Sequence, residues 1–255
     1  VFPAGSMFLS KDKPGVDHLA FTTQNIDEMA SLFIDDAKHS SGINGLKQVQ
    51  IPDELTQGVF LRFTSEANLR GSRTKFVERI DHIGIASSSN ILAESIFVEK
   101  LGLPLESRQT DVEVKVSMES FTSDKYGVIY KTRPPETMGG LRVSFITIGD
   151  TELELLENFN NQHPAEIAHG TPGNTKQDQG AITKYVDKYG PGLHHLAFKT
   201  PDINQTLMHL EKHNFKLIDS VGREGSRRSL IGFIHPSSTG GVLIHFVERE
   251  EVTNA

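Results

Sequence analysis

The chain has 255 residues, 36% hydrophobic and 23% charged, which suits one large or two smaller folded domains and argues against wholesale disorder. A formal net charge of −7 argues against nucleic acid as a partner, and neither a membrane-spanning apolar run nor a signal-peptide pattern is present. The absence of cysteine excludes disulfides, thiolate metal sites and a cysteine nucleophile, and with a reducing compartment in mind the expected location is the cytoplasm.

The chain opens on Val1, and "GSM" at 5–7 reads either as a cloning remnant ahead of a natural start at Met7 or as interior sequence. The first patterned stretch is "GVDHLAFTTQNID" (15–27): a strand, a Thr-rich turn, and a helix start with Asn or Asp in the capping region. Ile26, Met29, Ala30 and Phe33 then follow at helical spacing. The stretch "IPDELTQGVFLRFTSE" (51–66) closes this unit with a Pro-led turn and an alternating strand. A polar, basic linker covers 67–78. Residues 79–158 open with "RIDHIGIAS", run through an expected helix "NILAESIFVEKL" (90–101), and end in strands joined by a "GD" hairpin turn at 149–150. Residues 158–190 are Asn-, Gln- and Gly-rich, with a flexible loop or lid at 171–180, and end in a short helix "AITKYVDKY".

The last unit, 191–249, repeats the first. "GLHHLAFKTPDIN" (192–204) parallels 15–27, with Ile203, Leu207 and Leu210 at helical spacing, and "HPSSTGGVLIHFVERE" (235–250) parallels 51–66. Three βαβββ units result, and each places a histidine (His18, His82, His195) one residue into an apolar strand. An open four-stranded unit needs a partner for its second face. Units two and three can pair with each other. Unit one requires either an upstream module or the same unit of a second subunit, so a homo-oligomer is expected.

The motifs "DHIGIA", "GDTELELLEN", "GPGLHHLAFKTPDI" and "HPSSTGGVLIHFVE" resemble the vicinal oxygen chelate superfamily, nearest to methylmalonyl-CoA epimerase and glyoxalase-like proteins over 79–250. The stretch "QGAITKYVDKYGPGLHHLAFKTPDI" also resembles 4-hydroxyphenylpyruvate dioxygenase. The resemblance implies an α+β fold of tandem βαβββ modules, the paired ones forming a cup around a divalent metal ion. Residues 1–78 are then a degenerate module without metal and 79–255 the catalytic domain. It further implies metal ligands at His82, Glu154, His195 and His245, the last being a departure, since the family usually carries glutamate there.

Strand alternation agrees with that set. In "TELELLE", Leu153 and Leu155 face away from Glu152, Glu154 and Leu156; Val242, Ile244 and Phe246 face away from His245; Ile83 and Ile85 face away from His82. Imidazole and carboxylate suit Zn²⁺, Mn²⁺, Fe²⁺, Co²⁺ or Ni²⁺ without distinguishing them. His194 is expected on the opposite strand face. Arg62 stands where unit three has His245, and a guanidinium cannot coordinate a cation.

Arg223, Arg227 and Arg228 are candidates for an anionic or polyhydroxylated carbonyl substrate. The expected reaction is epimerisation or isomerisation: a proton moves next to a carbonyl through a metal-stabilised enolate, with Glu154 and Glu157 as catalytic carboxylates and Glu113 or Glu119 as other proton carriers. The alternatives are a non-haem Fe(II) dioxygenase, which requires His245 off the metal, and a metal-free binding protein.

Overall fold

The computed structural model describes residues 15–66, 74–134, 136–158 and 180–250; within these, the side chains of 112–115, 136–139 and 226 are set aside. The "GSM" start, much of the linker and the 171–179 loop therefore lie outside the described residues. The N-terminal module runs β1 (Leu19–Thr22), α1 (Ile26–Ser31), β2 (His39–Ser41), β3 (Lys47–Ile51) and β4 (Leu61–Thr64). The second runs β5 (Arg79–Ala86), α2 (Asn90–Glu94) continuing into a π-helical turn (Ser95–Lys100), β6 (Leu105–Lys115), β9 (Glu136–Ile148) and β10 (Thr151–Asn158). Between β6 and β9 a two-stranded ribbon, β7 (Met118–Ser123) and β8 (Gly127–Thr132), is inserted. The helix α3 (Gly180–Tyr189) then leads to β11 (Gly192–Lys199), α4 (Ile203–Lys212), β12 (Arg223–Glu224), β13 (Leu230–Ile234) and β14 (Leu243–Glu248).

One topology appears three times. The first strand pairs in parallel with the last, and the last pairs antiparallel with the one before it, as β1–β4–β3, β5–β10–β9 and β11–β14–β13. Modules two and three fuse into one eight-stranded sheet, β12-β13-β14-β11-β5-β10-β9-β6, through antiparallel pairing of their first strands β5 and β11. The sheet curls into the cup expected of paired βαβββ modules, and the α+β fold class stands. Among the described residues no helix is long and apolar enough to cross a membrane.

Sequence-level caps start the helices where expected. Asn25 accepts from the Glu28 N–H, Ser89 from Leu92 and Asp202 from Gln205, each offsetting unpaired N–H groups of a first turn. Two strand carboxylates add to this: Glu157 accepts from the Asn90 N–H (2.7 Å), and Glu248, its repeat counterpart, accepts from the Ile203 N–H (2.7 Å). Helices α1, α2 and α4 cover the convex face, α4 resting Ile203 and Leu207 on Ile234 and Phe246, whereas α3 packs on the cup face.

The N-terminal module docks by its helix side. Leu19, Ala30, Val49, Ile51, Leu61 and Phe63 share one apolar core with Phe97, Leu153, Leu155 and Leu193 of the following modules. Contact is close enough to require glycine at Gly58 (φ +80°), where a Cβ would lie 1.9 Å from the Pro191 carbonyl oxygen. Burying Phe63 and Phe97 completely makes this seam expensive to lose, about 3–5 kcal/mol for truncating either ring to alanine.

Candidate metal centre

The concave face gathers side chains from β5, β10, β11 and β14. Parity places His82 and Gly84 of β5 beside Glu154 of β10, with the registers Glu152↔His82, Glu154↔Gly84, His195↔Gly84 and Ala197↔His245. One ring nitrogen from each of His82, His195 and His245 lies within 4.8 Å of the others. The Glu154 carboxylate reaches 3.4 Å from His82 Nε2 and 3.2 Å from His195 Nε2. All four side chains are buried. Gly84 permits the approach, because a Cβ there would lie 2.1 Å from His195 Cε1.

Electrostatics favours neutral imidazoles at His195 and His245 and an ionised carboxylate at Glu154. Burial raises the Glu154 carboxyl, but the neighbouring His82 and His195 outweigh it and bring it down to about 2. Burial, then the nearby His195 and His82, hold His245 well below the usual imidazole range, and burial lowers His195 against the pull of Glu154. The buried His195 Nε2 faces the Glu154 carboxylate at 3.2 Å, and His245 Nδ1 is buried without a hydrogen-bond partner. Buried polar atoms are rarely left so, and their cost is offset if a cation takes them. The residues present therefore fit a divalent ion held by imidazole nitrogen and carboxylate oxygen.

A second layer aims the ligands. His82 Nδ1–H donates to Asp81 (2.8 Å), which turns Nε2 into the cup. Asp81 is fully buried; burial raises its carboxyl, but the His82 hydrogen bond and Arg249 (3.1 Å) together keep it below the usual range. His195 is backed differently. A bulge between Leu193 and His195 puts His194 beside its neighbour, Nδ1 to Nδ1 at 3.0 Å, with its ring edge-on to Tyr185. Burial brings His194 down to about 3, so its neutral ring can accept from His195 Nδ1–H. The expectation that His194 occupies the opposite face is thus corrected: the extra residue of the bulge breaks the alternation there.

The arginines divide. Arg227 crosses the cup from the third module to the second, pairing with Glu152 (2.7 Å) and Glu106 and stacking 3.6 Å over the Phe145 ring. It does so from a left-handed backbone (φ 57°), as does exposed Arg228 (φ 56°). Arg223 lies behind His245: its Nε bonds Asp219 (3.1 Å) and its guanidinium covers Phe233, which packs 4.5 Å from the His245 ring. A cleft of about 510 Å³ opens at the rim, where Arg79, Arg227 and Arg249 are set among Glu106, Asp150, Glu152 and Glu250.

Glu157 needs correction. It sits three residues beyond Glu154 on the other strand face, capping α2 and pairing with Arg142 (2.8 Å), as Glu248 caps α4. A proton-carrier role does not fit that position. Glu119 lies on the exposed β7–β8 ribbon, paired with Arg133, and the Glu113 side chain is outside the described residues. A carboxyl missed in the sequence is Asp111, on the cup face by register with Leu141, two strands from Glu154. Burial first, then the Glu154 charge, raises it above the usual range. Its signal was the polar alternation Ser107, Gln109, Asp111 along an edge strand.

Paired βαβββ modules closing on a buried three-histidine, one-carboxylate centre define a class of protein. Residues 81–233 match the Glyoxalase/Bleomycin resistance protein/Dioxygenase superfamily, and the chain belongs to that superfamily. It is 28% identical over 172 residues to the uncharacterized protein YqjC of Bacillus subtilis (strain 168), covering 68% of this chain and 93% of that one. It is 30% identical over 105 residues to human mitochondrial methylmalonyl-CoA epimerase, and 25% over 126 residues to the mouse enzyme. These matches cover 41% and 49% of this chain and span 51% and 61% of the length of those enzymes. Among solved structures, Mycobacterium tuberculosis methylmalonyl-CoA epimerase aligns with a TM-score of 0.48 at 23% identity, over 71% of this chain and 94% of that chain.

Proposed function

We propose that this chain is a metal-dependent epimerase or isomerase that moves a proton on the carbon next to the carbonyl of an anionic acyl substrate. The observation that carries the reading is the convergence of ring nitrogens of His82, His195 and His245, with the Glu154 carboxylate 3.4 Å and 3.2 Å from the first two and His245 Nδ1 buried without a hydrogen-bond partner. The similarity to methylmalonyl-CoA epimerases supports the reaction type and makes an acyl-CoA the first substrate to try. A divalent cation held by these four residues would polarise the substrate carbonyl and acidify the adjacent C–H.

The chain's own residues supply the rest. Asp81 and His194 fix ring orientation, so that His82 and His195 present Nε2 to the cup. Ala197, Ile231, Phe233 and Val247 form an apolar wall beside His245, and α3 covers Ala86, Val143 and Leu156 on the other side, which keeps water from the reacting carbon. Asp111, on the cup face with its carboxyl raised by burial and by the Glu154 charge, is suited to give and take the proton. Arg227, Arg79 and Arg249 at the rim, now paired with Glu152, Glu106 and Asp81, would take the substrate's anionic portion by exchanging those carboxylates for it.

The test is exchange of the α-proton of acyl-CoA substrates in D₂O, followed by NMR alongside elemental analysis. Metal-dependent exchange is expected, abolished in His82→Ala and slowed about 100-fold or more in Asp111→Asn at unchanged metal content. Protein that carries iron, consumes O₂ with substrate and leaves the α-proton in place would overturn the proposal.

A further inference from the structure

The first strands of modules two and three are paired on both sides, β5 with β10 and β11, β11 with β14 and β5. Their counterpart β1 pairs with β4, and among the described residues no strand lies along its other side. The backbone shows which groups face that side. The N–H of Leu19 bonds the Phe60 carbonyl (2.9 Å) and that of Thr23 the Thr64 carbonyl (2.9 Å). Odd-numbered residues thus turn toward β4, and the N–H and C=O groups of His18, Ala20 and Thr22 point outward. Ala20 and Thr22 are exposed. The strand "LAFT" carries no lysine, proline or bulge of the kind that blunts an edge.

We propose that β1 pairs antiparallel with β1 of a second copy of this chain, about a twofold axis through Leu19. The register follows from the joint already inside the molecule, where His82 pairs with Ala197, Ile83 with Leu196 and Gly84 with His195. His18 is the repeat counterpart of both His82 and His195. Transferring the register therefore sets His18 against Ala20 of the second copy, Leu19 against its own equivalent, and Ala20 against His18. This arrangement is self-complementary, as an isologous interface must be. It also pairs outward-facing residues only with outward-facing ones, so both copies exchange backbone bonds at His18 and Ala20.

The interface continues the existing layers. Leu19 and Phe63 would extend the buried helix-side core across the axis, and the two concave faces would close into a second cup. Arg62 registers with Ala20 as His245 does with Ala197 and Glu154 with Gly84, so each copy brings a guanidinium to a ligand position. Asp17, 3.6 Å from Arg62 and 2.9 Å from His18 Nδ1, balances that charge. The second cup therefore takes no cation, and the dimer holds two metal ions rather than three.

Because the chain lacks cysteine, one introduced thiol reports the register. Leu19→Cys would place equivalent Cα atoms about 4.5 Å apart across a non-hydrogen-bonded pair, within disulfide reach. Thr22→Cys would separate them by about 20 Å. Oxidation should give a covalent dimer with the first and none with the second. Since Leu19 is a core residue, His18→Cys mixed with Ala20→Cys repeats the test at cup-face positions and should cross-link only as the mixed pair. Ala20→Pro removes an outward N–H without touching the β4 ladder, and should turn the dimer into a monomer in sedimentation at unchanged metal per chain. A monomeric wild-type chain at micromolar concentration, equal cross-linking at 19 and 22, or an intact dimer in Ala20→Pro would each overturn the proposal.

Discussion

In the proposed donor set His245 leaves one formal negative charge, that of Glu154, where the family's usual glutamate would give two. Fewer anionic ligands leave a bound cation more electrophilic. His245→Ala should lower metal content as much as His82→Ala does, measured on purified protein by elemental analysis. His245→Glu should retain metal, because carboxylate oxygen binds the same ions at similar distance, yet lose activity as the ion's charge is further neutralised. At this scale the sequence was readable wherever a strand keeps strict alternation: Glu154 and His245 can point only one way. It was unreadable at His194, because a bulge adds a residue without leaving a mark in composition. Glu157 misled for a related reason. A carboxylate in a rich motif reads as chemistry until its parity assigns it to the helix side.

Among the elements, α2 shows how one buried carboxylate ties three pieces together. Glu94 accepts from Ser144 of β9 (2.7 Å) and from Arg108 Nε of β6 (3.0 Å). The Arg108 bond, against burial, holds the Glu94 carboxyl below its ordinary value of 4.5. A depressed carboxyl contributes stability that is present above the unfolded value and fades as pH falls through the folded one. Glu94→Gln should therefore destabilise the protein at pH 7, by about 1 kcal/mol since Arg108 is largely exposed, and the gap should start to narrow below about pH 4.5 and vanish as pH falls through the lower folded value. Denaturant titrations at pH 7 and pH 4 would measure it. The helices α1 and α4 were legible from Asn or Asp in the capping region and from apolar spacing, because those signals are local.

For the whole molecule, the four proposed metal ligands straddle the β5–β11 joint, two from each of the fused modules. A cation bound there stabilises by mass action, about 2.7 kcal/mol at a hundredfold excess over its dissociation constant. The N-terminal module shares a core with the same joint, so chelation should lower the melting temperature of a single transition rather than split one off. Calorimetry with and without chelator distinguishes these outcomes. The three repeats and the pairing of units two and three could be read from the sequence, but the docking of unit one on them could not. Contacts such as Gly58 against Pro191 are steric, long-range and specific to one docking, and no motif announces them.

The paired left-handed residues at Arg227 and Arg228 affect how the cup moves. A non-glycine residue in that region costs roughly 1–2 kcal/mol, so two in succession make this the segment of the wall with most to gain by rearranging. Arg227's ion pairs to Glu152 and Glu106 and its stack on Phe145 hold it in place. An arriving anion that competes for the guanidinium loosens the latch it engages, so entry and loop release share one free-energy balance. Amide hydrogens at 225–229 should then exchange faster than those of the adjoining β13 and β14, and faster still as salt weakens the two ion pairs.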